Sequence, residues 1–223
     1  VDVVTAQQAI SVSSGESVQE GHAISVDVNN DGLLDVIMSS PGASHGAYRG
    51  GVVMLWLSTA DGIEAAPSRV WSGTRWEDYL GRGLATGDFD NDGFADLVIG
   101  SPYKEGVSGY NSGMTEVFSG ESGGTFSAEP TFVSNGDHSS DYYGQSVAGC
   151  DVNGDGFDDL LVGAFLDEDR DGLVTYSGQG ALHLYLGGAA GLSTAAYHVR
   201  YGAVPSPTGW QAQSSIELGY ALA

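Results

Sequence analysis

The chain has little positive charge. Its 223 residues include only 7 Lys and Arg against 29 Asp and Glu, which gives a formal net charge of −22. A field of this sign repels the phosphate backbone of nucleic acids and the anionic surface of a membrane. We therefore expect neither nucleic acid nor a lipid surface among the partners of this protein.

Cysteine and long apolar runs are also scarce. The single cysteine, Cys150, cannot form an internal disulfide, and its position at the end of a strand-like run predicts a buried structural thiol. No apolar run reaches the roughly 18 residues that a transmembrane helix requires, so no membrane span is expected. Charged residues make up only 16% of the chain, which excludes a disordered polyelectrolyte.

An acidic loop of nine residues occurs three times. Each copy reads D-x-[DN]-x-D-G-x-x-D, and the copies are Asp27-Val-Asn29-Asn-Asp31-Gly32-Leu-Leu-Asp35, Asp88-Phe-Asp90-Asn-Asp92-Gly93-Phe-Ala-Asp96 and Asp151-Val-Asn153-Gly-Asp155-Gly156-Phe-Asp-Asp159. The spacing places oxygen donors at positions 1, 3, 5 and 9 of one tight turn. The glycine at position 6 permits a sharp bend, and the backbone carbonyl at position 7 can turn inward as a further donor.

This donor set predicts three calcium ions, because calcium takes about six to eight oxygen ligands in irregular geometry. The predicted ligands are side chains at positions 1, 3, 5 and 9 and the carbonyl at position 7: Asp27, Asn29, Asp31, Leu33 and Asp35; Asp88, Asp90, Asp92, Phe94 and Asp96; Asp151, Asn153, Asp155, Phe157 and Asp159. An EF-hand is excluded because its position 12 requires glutamate, where this chain has Met38, Ile99 and Val162.

The loops recur with periods of 61 and 63 residues. Around each loop lie four short apolar runs, bounded by glycine and turn residues and without helical periodicity, which favours an all-β repeat. Four antiparallel strands in about 60 residues are typical of a β-propeller blade. We predict blades at about 21–80, 81–143 and 144–218, with partial blades at 1–20 and 219–223. Because propellers usually have about four to eight blades, we expect a fragment or an array completed by neighbouring chains.

The sequence resembles the FG-GAP repeat family, the blades of the integrin α-subunit β-propeller and its bacterial relatives. The Phe-Gly element corresponds to Leu80-Gly81, Tyr143-Gly144 and Leu218-Gly219. The Gly-Ala-Pro element corresponds to Ser39-Ser40-Pro41, Gly100-Ser101-Pro102 and Gly163-Ala164-Phe165. The resemblance implies that each calcium loop joins the first two strands of a blade on one face of the ring. It also implies an extracellular protein that serves adhesion or ligand binding.

A fourth acidic cluster follows the second strand of the third repeat. It consists of Asp167, Asp169 and Asp171, and it imitates the first six positions of the calcium loops. Its ninth position is Thr175, which is a poorer ligand than aspartate. Both a solvated acidic insertion and an accessory calcium site are open interpretations of this segment.

The loops on the opposite face from the calcium loops are candidates for recognition. Exposed loops on a rigid scaffold often carry binding residues, and aromatic rings with a polar tip suit protein or glycan surfaces. The candidate contacts are Tyr48, Tyr103 and Tyr110. Four other aromatic residues are expected to pack between blades: Trp76, Tyr79, Tyr142 and Tyr143.

We therefore expect a calcium-binding extracellular module for adhesion or for binding a protein or glycan, with structural calcium. The alternative is a non-catalytic assembly segment of a larger secreted protein or enzyme, which self-associates or continues into further blades. An enzymatic role is not expected. Gly120-Glu-Ser122-Gly-Gly124 matches the G-x-S-x-G string, but a nucleophile elbow requires a helix after the serine.

Overall fold

A computed structural model describes residues 21–167, 180–201, 204–206 and 209–211. Within these ranges the backbone forms strands and turns, which confirms the all-β prediction. The same ranges contain no helix that is long and apolar enough to cross a membrane. The predicted partial blades at 1–20 and 219–223 lie outside the described residues.

Three four-stranded sheets account for most of the strands. The first sheet consists of β1 (Ala23–Val26), β2 (Asp35–Ser40), β3 (Val52–Trp56) and β6 (Arg69–Ser72). Between β3 and β6 the chain forms a small hairpin of β4 (Ser58–Thr59) and β5 (Gly62–Ile63). The second sheet consists of β7 (Gly83–Gly87), β8 (Asp96–Ser101), β9 (Met114–Phe118) and β12 (Phe132–Asn135). Between β9 and β12 the chain forms a separate hairpin of β10 (Gly120–Glu121) and β11 (Thr125–Phe126).

The third sheet repeats this order with β13 (Tyr143–Cys150), β14 (Asp159–Ala164), β15 (Ala181–Tyr185) and β16 (His198–Tyr201). A hairpin of β17 (Val204–Ser206) and β18 (Gly209–Gln211) follows it. All neighbouring strands within the three sheets are antiparallel. Strands that follow one another in each sheet are therefore neighbours, which is the arrangement of a propeller blade and confirms the predicted four-stranded unit. The repeat boundaries stay predictions.

The second sheet lies between the other two, and its inner strands pack against a neighbouring sheet on each face. Its strand β8 is buried at every residue. Leu97 and Ile99 belong to the apolar cluster shared with the first sheet, while Val98 points into the cluster shared with the third. A strand that is covered on both faces reads as a continuous apolar run, as the segment Leu97–Ile99 does.

Two apolar clusters hold the sheets together. The first contains Val28, Ile37, Val53, Leu55, Trp71, Leu80, Leu97, Ile99, Phe118 and Phe126. The second contains Phe89, Val98, Val117, Tyr143, Val147, Leu160, Val162, Ala164 and Tyr185. Each cluster takes side chains from two adjacent sheets, so the core consists of face-to-face packing between blades.

Close approach of the backbones requires glycine where the second and third sheets meet. A Cβ atom on Gly100 would collide with the carbonyl oxygen of Gly144. Gly144 itself has a φ of +85°, in the left-handed region, and a Cβ there would lie 2.6 Å from the carbonyl oxygen of Met114. The glycine of the Phe-Gly element therefore allows both a tight turn and contact between blades.

Arg69 connects the first two sheets from the outer strand β6. Its guanidinium donates hydrogen bonds to the carbonyl oxygens of Phe126 and Ser127, the latter at 2.8 Å. The same group lies 4.6 Å from the ring centroid of Trp71 and 5.7 Å from that of Phe118. It thus covers the outer end of the first apolar cluster and satisfies carbonyl groups at the end of the β10–β11 hairpin.

The expectation of a buried thiol at Cys150 is wrong, because the structure places this residue on the surface. Cys150 is the last residue of β13 and pairs with Asp159, directly beside the third acidic loop. The strand leaves the core there. A strand-like run predicts extended backbone but not where along the strand burial ends.

Candidate metal centres

Each acidic loop connects the first two strands of its sheet. The loops lie between β1 and β2, between β7 and β8, and between β13 and β14, and the ninth residue of each loop opens the second strand. In an antiparallel sheet with consecutive neighbours, these three connections lie on the same edge of the blades. This is the placement expected for the loops.

Positive φ angles at two positions form the bend of each loop. The glycine at position 6 has a φ of 86°, 89° or 92° in Gly32, Gly93 and Gly156. Position 4 is also left-handed, with φ values of 58°, 54° and 78° in Asn30, Asn91 and Gly154. Asparagine and glycine adopt this conformation at the lowest cost, so the residue types at both positions suit the turn.

Backbone N–H groups hold the loop carboxylates in position. In the second loop, Asp88 accepts hydrogen bonds from the backbone nitrogens of Asp92 at 3.1 Å and Gly93 at 3.0 Å. Asp90 accepts from the nitrogen of Asp92 at 3.2 Å, and Asp92 accepts from the nitrogen of Phe94 at 2.8 Å. The same four bonds occur in the first and third loops.

The second loop brings three carboxylates together. One oxygen from each of Asp88, Asp90 and Asp92 lies within 4.8 Å of the others. Burial raises the pKa of Asp90, and the charges of Asp92 and Asp88 raise it further. Three crowded, anionic oxygen donors fit a hard divalent cation such as calcium, which would relieve the repulsion among them.

In the third loop, backbone hydrogen bonds lower the pKa of an aspartate. The N–H group of Gly156 holds the pKa of Asp151 below its usual range, with smaller contributions from Gly154 and Asp155. Asn153 replaces the second carboxylate there, and its side-chain nitrogen donates to Asp155 at 3.0 Å. This loop therefore crowds less negative charge than the second.

The aspartate at position 9 of each loop has a second role that the sequence did not reveal. Asp35, Asp96 and Asp159 are at most 3% exposed. One carboxylate oxygen accepts a hydrogen bond from the backbone nitrogen at position 2 of the loop, at 3.0 to 3.1 Å. The other oxygen accepts from a backbone nitrogen that follows the third strand, at 2.7 to 2.9 Å; these donors are Ser58, Gly120 and Gly187. These carboxylates therefore tie three segments of each blade together.

Burial of the position-9 carboxylate has an electrostatic consequence in the second loop. Burial raises the pKa of Asp96 to about 6, although the N–H groups of Gly120 and Phe89 favour its charged form. Burial therefore favours the neutral form of this carboxyl, and the two backbone N–H groups only partly offset that preference.

The residues at position 7 contact the loop carboxylates through their backbone N–H groups. The backbone nitrogens of Leu33, Phe94 and Phe157 donate to the position-5 carboxylate at 2.8 to 3.0 Å. Coordination by their carbonyl oxygens stays a prediction.

Neighbouring loops contact one another directly. The side-chain nitrogen of Asn30 donates to the carbonyl oxygen of Gly93 at 2.9 Å, which joins the first loop to the second. Between the second and third loops, the carboxylate of Asp158 accepts from the backbone nitrogen of Asp88 at 2.9 Å, and the Asp158 nitrogen donates back to the Asp88 carbonyl at 3.0 Å. The three loops form one continuous acidic edge.

The opposite edge carries a row of aromatic rings. Tyr79, Tyr103, Tyr142 and Phe165 contact one another in that order, with ring centroids 4.7 to 5.0 Å apart. Tyr103 is thus half-buried within this row, and the candidate Tyr110 is 65% exposed. Tyr143 is fully buried, as expected for packing between blades.

Trp76 does not pack between blades, and this prediction is wrong. The residue is 80% exposed, and its ring lies 5.8 Å from that of Tyr48, which is 41% exposed. The guanidinium of Arg49 lies 5.4 Å from the Tyr48 ring centroid and donates to the hydroxyl of Tyr79 at 3.2 Å. An exposed pair of aromatic rings therefore adjoins a cation on this edge.

Asp167 is not part of a solvated acidic insertion, because it is 3% exposed and contacts His183 through a 3.1 Å distance between Oδ2 and Nε2. Asp169 and Asp171 lie outside the described residues, so the accessory calcium site stays a prediction. Ser122 occupies the exposed turn of the β10–β11 hairpin. Its local structure is strand, turn and strand, which differs from a nucleophile elbow.

Comparison with known proteins identifies the family of the repeats. A family model described as FG-GAP-like repeat matches residues 27–99, and one described as FG-GAP repeat matches residues 143–185. Integrin alpha-3 of Mus musculus is 31% identical over 183 residues, which are 80% of this chain and 15% of the relative. Integrin alpha-IIb of Homo sapiens is 34% identical over 155 residues, covering 65% of this chain and 14% of the relative.

Integrin alpha-V of Gallus gallus is 36% identical over 105 residues, 46% of this chain and 9% of the relative. The chain thus spans only a small part of the length of these relatives. The first match includes the first and second acidic loops, and the second match includes the third loop. The four-stranded sheets of the structure agree with these repeats. The chain belongs to the FG-GAP repeat family.

Proposed function

We propose that this chain is a calcium-stabilised extracellular module that binds a protein or glycan through the edge opposite its acidic loops. The observation that carries the calcium part is the repeated geometry of the three loops, in which identical backbone hydrogen bonds hold carboxylates at one edge. In the second loop the oxygens of Asp88, Asp90 and Asp92 converge within 4.8 Å.

The residues that would hold calcium are the side chains at positions 1, 3, 5 and 9 of each loop. Bound calcium would neutralise the crowded carboxylates and join the end of the first strand to the start of the second. With calcium at about 10⁻³ M and a dissociation constant of about 10⁻⁴ M, each site would contribute roughly RT ln 11, or about 1.4 kcal/mol. Three sites would contribute about 4 kcal/mol, which is a large part of a typical domain stability of about 5–15 kcal/mol.

An extracellular location is consistent with the affinity assumed above, because sites with a dissociation constant of about 10⁻⁴ M fill only at roughly millimolar calcium. Membership in the FG-GAP repeat family supports the same location. Integrin alpha relatives match up to 80% of this chain, which favours an adhesion or recognition role over catalysis. We propose no catalytic function for these residues.

The recognition surface is proposed at the opposite edge, around Tyr48, Trp76 and Arg49. Exposed aromatic rings beside a guanidinium are enriched where proteins bind partners.

A binding experiment tests this surface. The chain, loaded with calcium, is screened on a glycan array and against an extracellular-matrix protein extract, alongside the Tyr48→Ala/Trp76→Ala double variant. The matched control is Ile63→Ala, which removes an exposed apolar side chain from the hairpin at the acidic edge. We expect the double variant to lose binding and the control to retain it.

Two results would speak against the recognition role. Equal binding by the double variant and the wild type would show that the ligand binds at a surface other than the one around Tyr48 and Trp76. Absence of any bound ligand, together with concentration-dependent self-association in analytical ultracentrifugation, would support the alternative of an assembly segment.

A further inference from the structure

Asp158 lies where the second and third acidic loops meet. It occupies position 8 of the third loop, between the predicted ligands Phe157 and Asp159, and is not itself a predicted ligand. Its half-buried side chain contacts the neighbouring loop, because Oδ2 accepts a hydrogen bond from the backbone nitrogen of Asp88 at 2.9 Å. Asp88 is position 1 of the second loop. The side chain of one loop is therefore bonded to the first predicted ligand residue of another.

The contact between these two residues is reciprocal. The backbone nitrogen of Asp158 donates to the carbonyl oxygen of Asp88 at 3.0 Å, so both polar backbone groups of Asp88 are bonded to one residue. The carboxylate of Asp88 accepts hydrogen bonds from Asp92 and Gly93 within its own loop. Asp88 thus contacts its own loop through its side chain and the third loop through its backbone.

The space for the Asp158 carboxylate depends on the residue that precedes Asp88. That residue is Gly87, where a Cβ atom would lie 3.2 Å from Oδ2 of Asp158, closer than an ordinary contact. The first loop is preceded by Val26, and position 8 of the second loop is Ala95. A larger residue before one loop is thus combined with a smaller residue at position 8 of the next. The glycine and the aspartate at the second junction suit each other in size.

The first and second loops are joined in a different way. Ala95 has no side-chain acceptor, so it cannot replace the bond that Asp158 makes. The side-chain nitrogen of Asn30 donates instead to the carbonyl oxygen of Gly93 at 2.9 Å, in an exposed position. Both partners are uncharged, and hydrogen bonds to a charged acceptor are stronger than neutral ones. The first loop therefore serves as an internal reference for the tie between the other two.

We propose that Asp158 couples calcium binding by the second and third loops, so that filling one loop raises the affinity of the other. This inference rests on the calcium binding proposed above. Without calcium, repulsion among the carboxylates favours opening of each loop. Once the third loop is ordered by calcium, the residues on either side of Asp158 are fixed, and its two bonds hold Asp88 in place.

The coupling works through conformational freedom. A second loop that is already held at Asp88 has less freedom to lose when it binds calcium, so its affinity rises. Coupling between two binding equilibria is reciprocal, so the third loop gains by the same factor. Asp158 is a positioning residue in this account, because it acts on the second loop through Asp88.

Three backbone N–H groups report on the loops separately. Gly32, Gly93 and Gly156 lie at position 6 of their loops, and each donates to the position-1 carboxylate of its own loop at 2.8 to 3.0 Å. Calcium is titrated into the metal-free full chain, and the amide NMR signals of these glycines are followed. Each signal gives the calcium affinity of one loop.

The test is a double-mutant cycle. The third loop is disabled by Asp151→Asn and Asp155→Asn together, both in the wild-type chain and in Asp158→Ala. The charge removed from the third loop is the same in both backgrounds, so its direct effect cancels. Asp158→Asn keeps an acceptor oxygen for the N–H group of Asp88. Asp61→Ala, at an exposed residue in the turn of the β4–β5 hairpin, controls for the loss of one acidic side chain.

Disabling the third loop should weaken calcium binding at Gly93 at least about fivefold, the lower end of typical couplings between binding sites. The titration of Gly32 should stay unchanged. In Asp158→Ala the same change in the third loop should have no effect on Gly93. Asp158→Asn and Asp61→Ala should both keep the fivefold effect.

Two results would overturn the coupling and leave calcium binding intact. The first is a Gly93 titration that does not change when the third loop is disabled in the wild-type chain. This measurement requires no substitution at Asp158, so it decides the question even if Asp158→Ala does not fold. The second is a fivefold effect that persists in Asp158→Ala. If none of the three glycine signals responds to millimolar calcium, the proposed calcium binding is wrong and the coupling is excluded with it.

Discussion

Replacing the buried aspartate at position 9 should destabilise the fold even without calcium. In Asp35→Asn the amide keeps one acceptor oxygen, whereas Asp35 accepts from Ser58 at 2.7 Å and from Val28 at 3.0 Å. One backbone N–H group would then face an NH₂ group inside the protein, since Asp35 is 0% exposed. A buried donor without an acceptor costs about 1–3 kcal/mol.

The matched control is Asp31→Asn, which makes the same chemical change in the same loop. Asp31 is exposed and accepts from Leu33 at 2.8 Å, so water can replace the lost acceptor. In a calcium chelator we expect this variant to change stability by less than about 0.5 kcal/mol. In calcium, both variants should lose metal-dependent stability.

Thermal unfolding of both variants, each with chelator and with calcium, separates the two roles. For a chain of this size each kcal/mol corresponds to about 2–4 °C in Tm. Asp35→Asn should melt lower than wild type in both conditions. Equal Tm values for Asp35→Asn and Asp31→Asn in chelator would refute the argument that position 9 carries a structural hydrogen-bonding role.

Three further predictions concern single residues. Arg69→Ala should lower the free energy of unfolding by about 2–4 kcal/mol in urea titration, because it removes charged hydrogen bonds and a cation–π contact; a loss below about 0.5 kcal/mol would contradict the role of Arg69 between the sheets. Gly144→Ala should destabilise the chain more than Gly191→Ala, because both have positive φ but only Gly144 has neighbours where a Cβ would lie; similar urea midpoints would show that the close approach is relaxed. Lowering the pH below about 6 should weaken calcium binding by the second loop, by up to about tenfold per pH unit, because protons compete for Asp96. Calorimetric titration at several pH values would contradict this if the affinity of every site stayed constant.

The sign of the Asp96 effect on the calcium-free fold is the reverse of an ordinary salt-bridged carboxylate. Its folded pKa of about 6 lies above the unfolded value of about 3.9, so the folded state binds the proton more tightly. The stability that this group contributes is present at low pH and is lost as the pH rises through about 4 to 6. Calcium should remove that loss by favouring the charged form.

The strands and acidic loops could be predicted because their signals are local. Gly93 and Asn91 lie at positions where the backbone must be left-handed, and the run Leu97–Ile99 is apolar because both faces of β8 are covered. Each of these properties depends on a few adjacent residues. The predicted four-stranded unit followed from their repetition.

The sequence did not reveal features that depend on contacts between distant segments. The second hydrogen bond of Asp35 comes from Ser58, 23 residues later, so the motif shows a ligand but not a tie between strands. Trp76 resembles the buried aromatic residues near it in sequence, yet its ring is exposed beside Tyr48. Spacing rules likewise miss the contact between Asp167 and His183, which are 16 residues apart in the sequence.

The central claim, that the three acidic loops bind calcium, is tested most directly by isothermal titration calorimetry of the metal-free chain. The predicted result is three calcium ions per chain, falling to two when Asp88 and Asp90 are both replaced by alanine. Heat consistent with no bound calcium at millimolar concentration would contradict it.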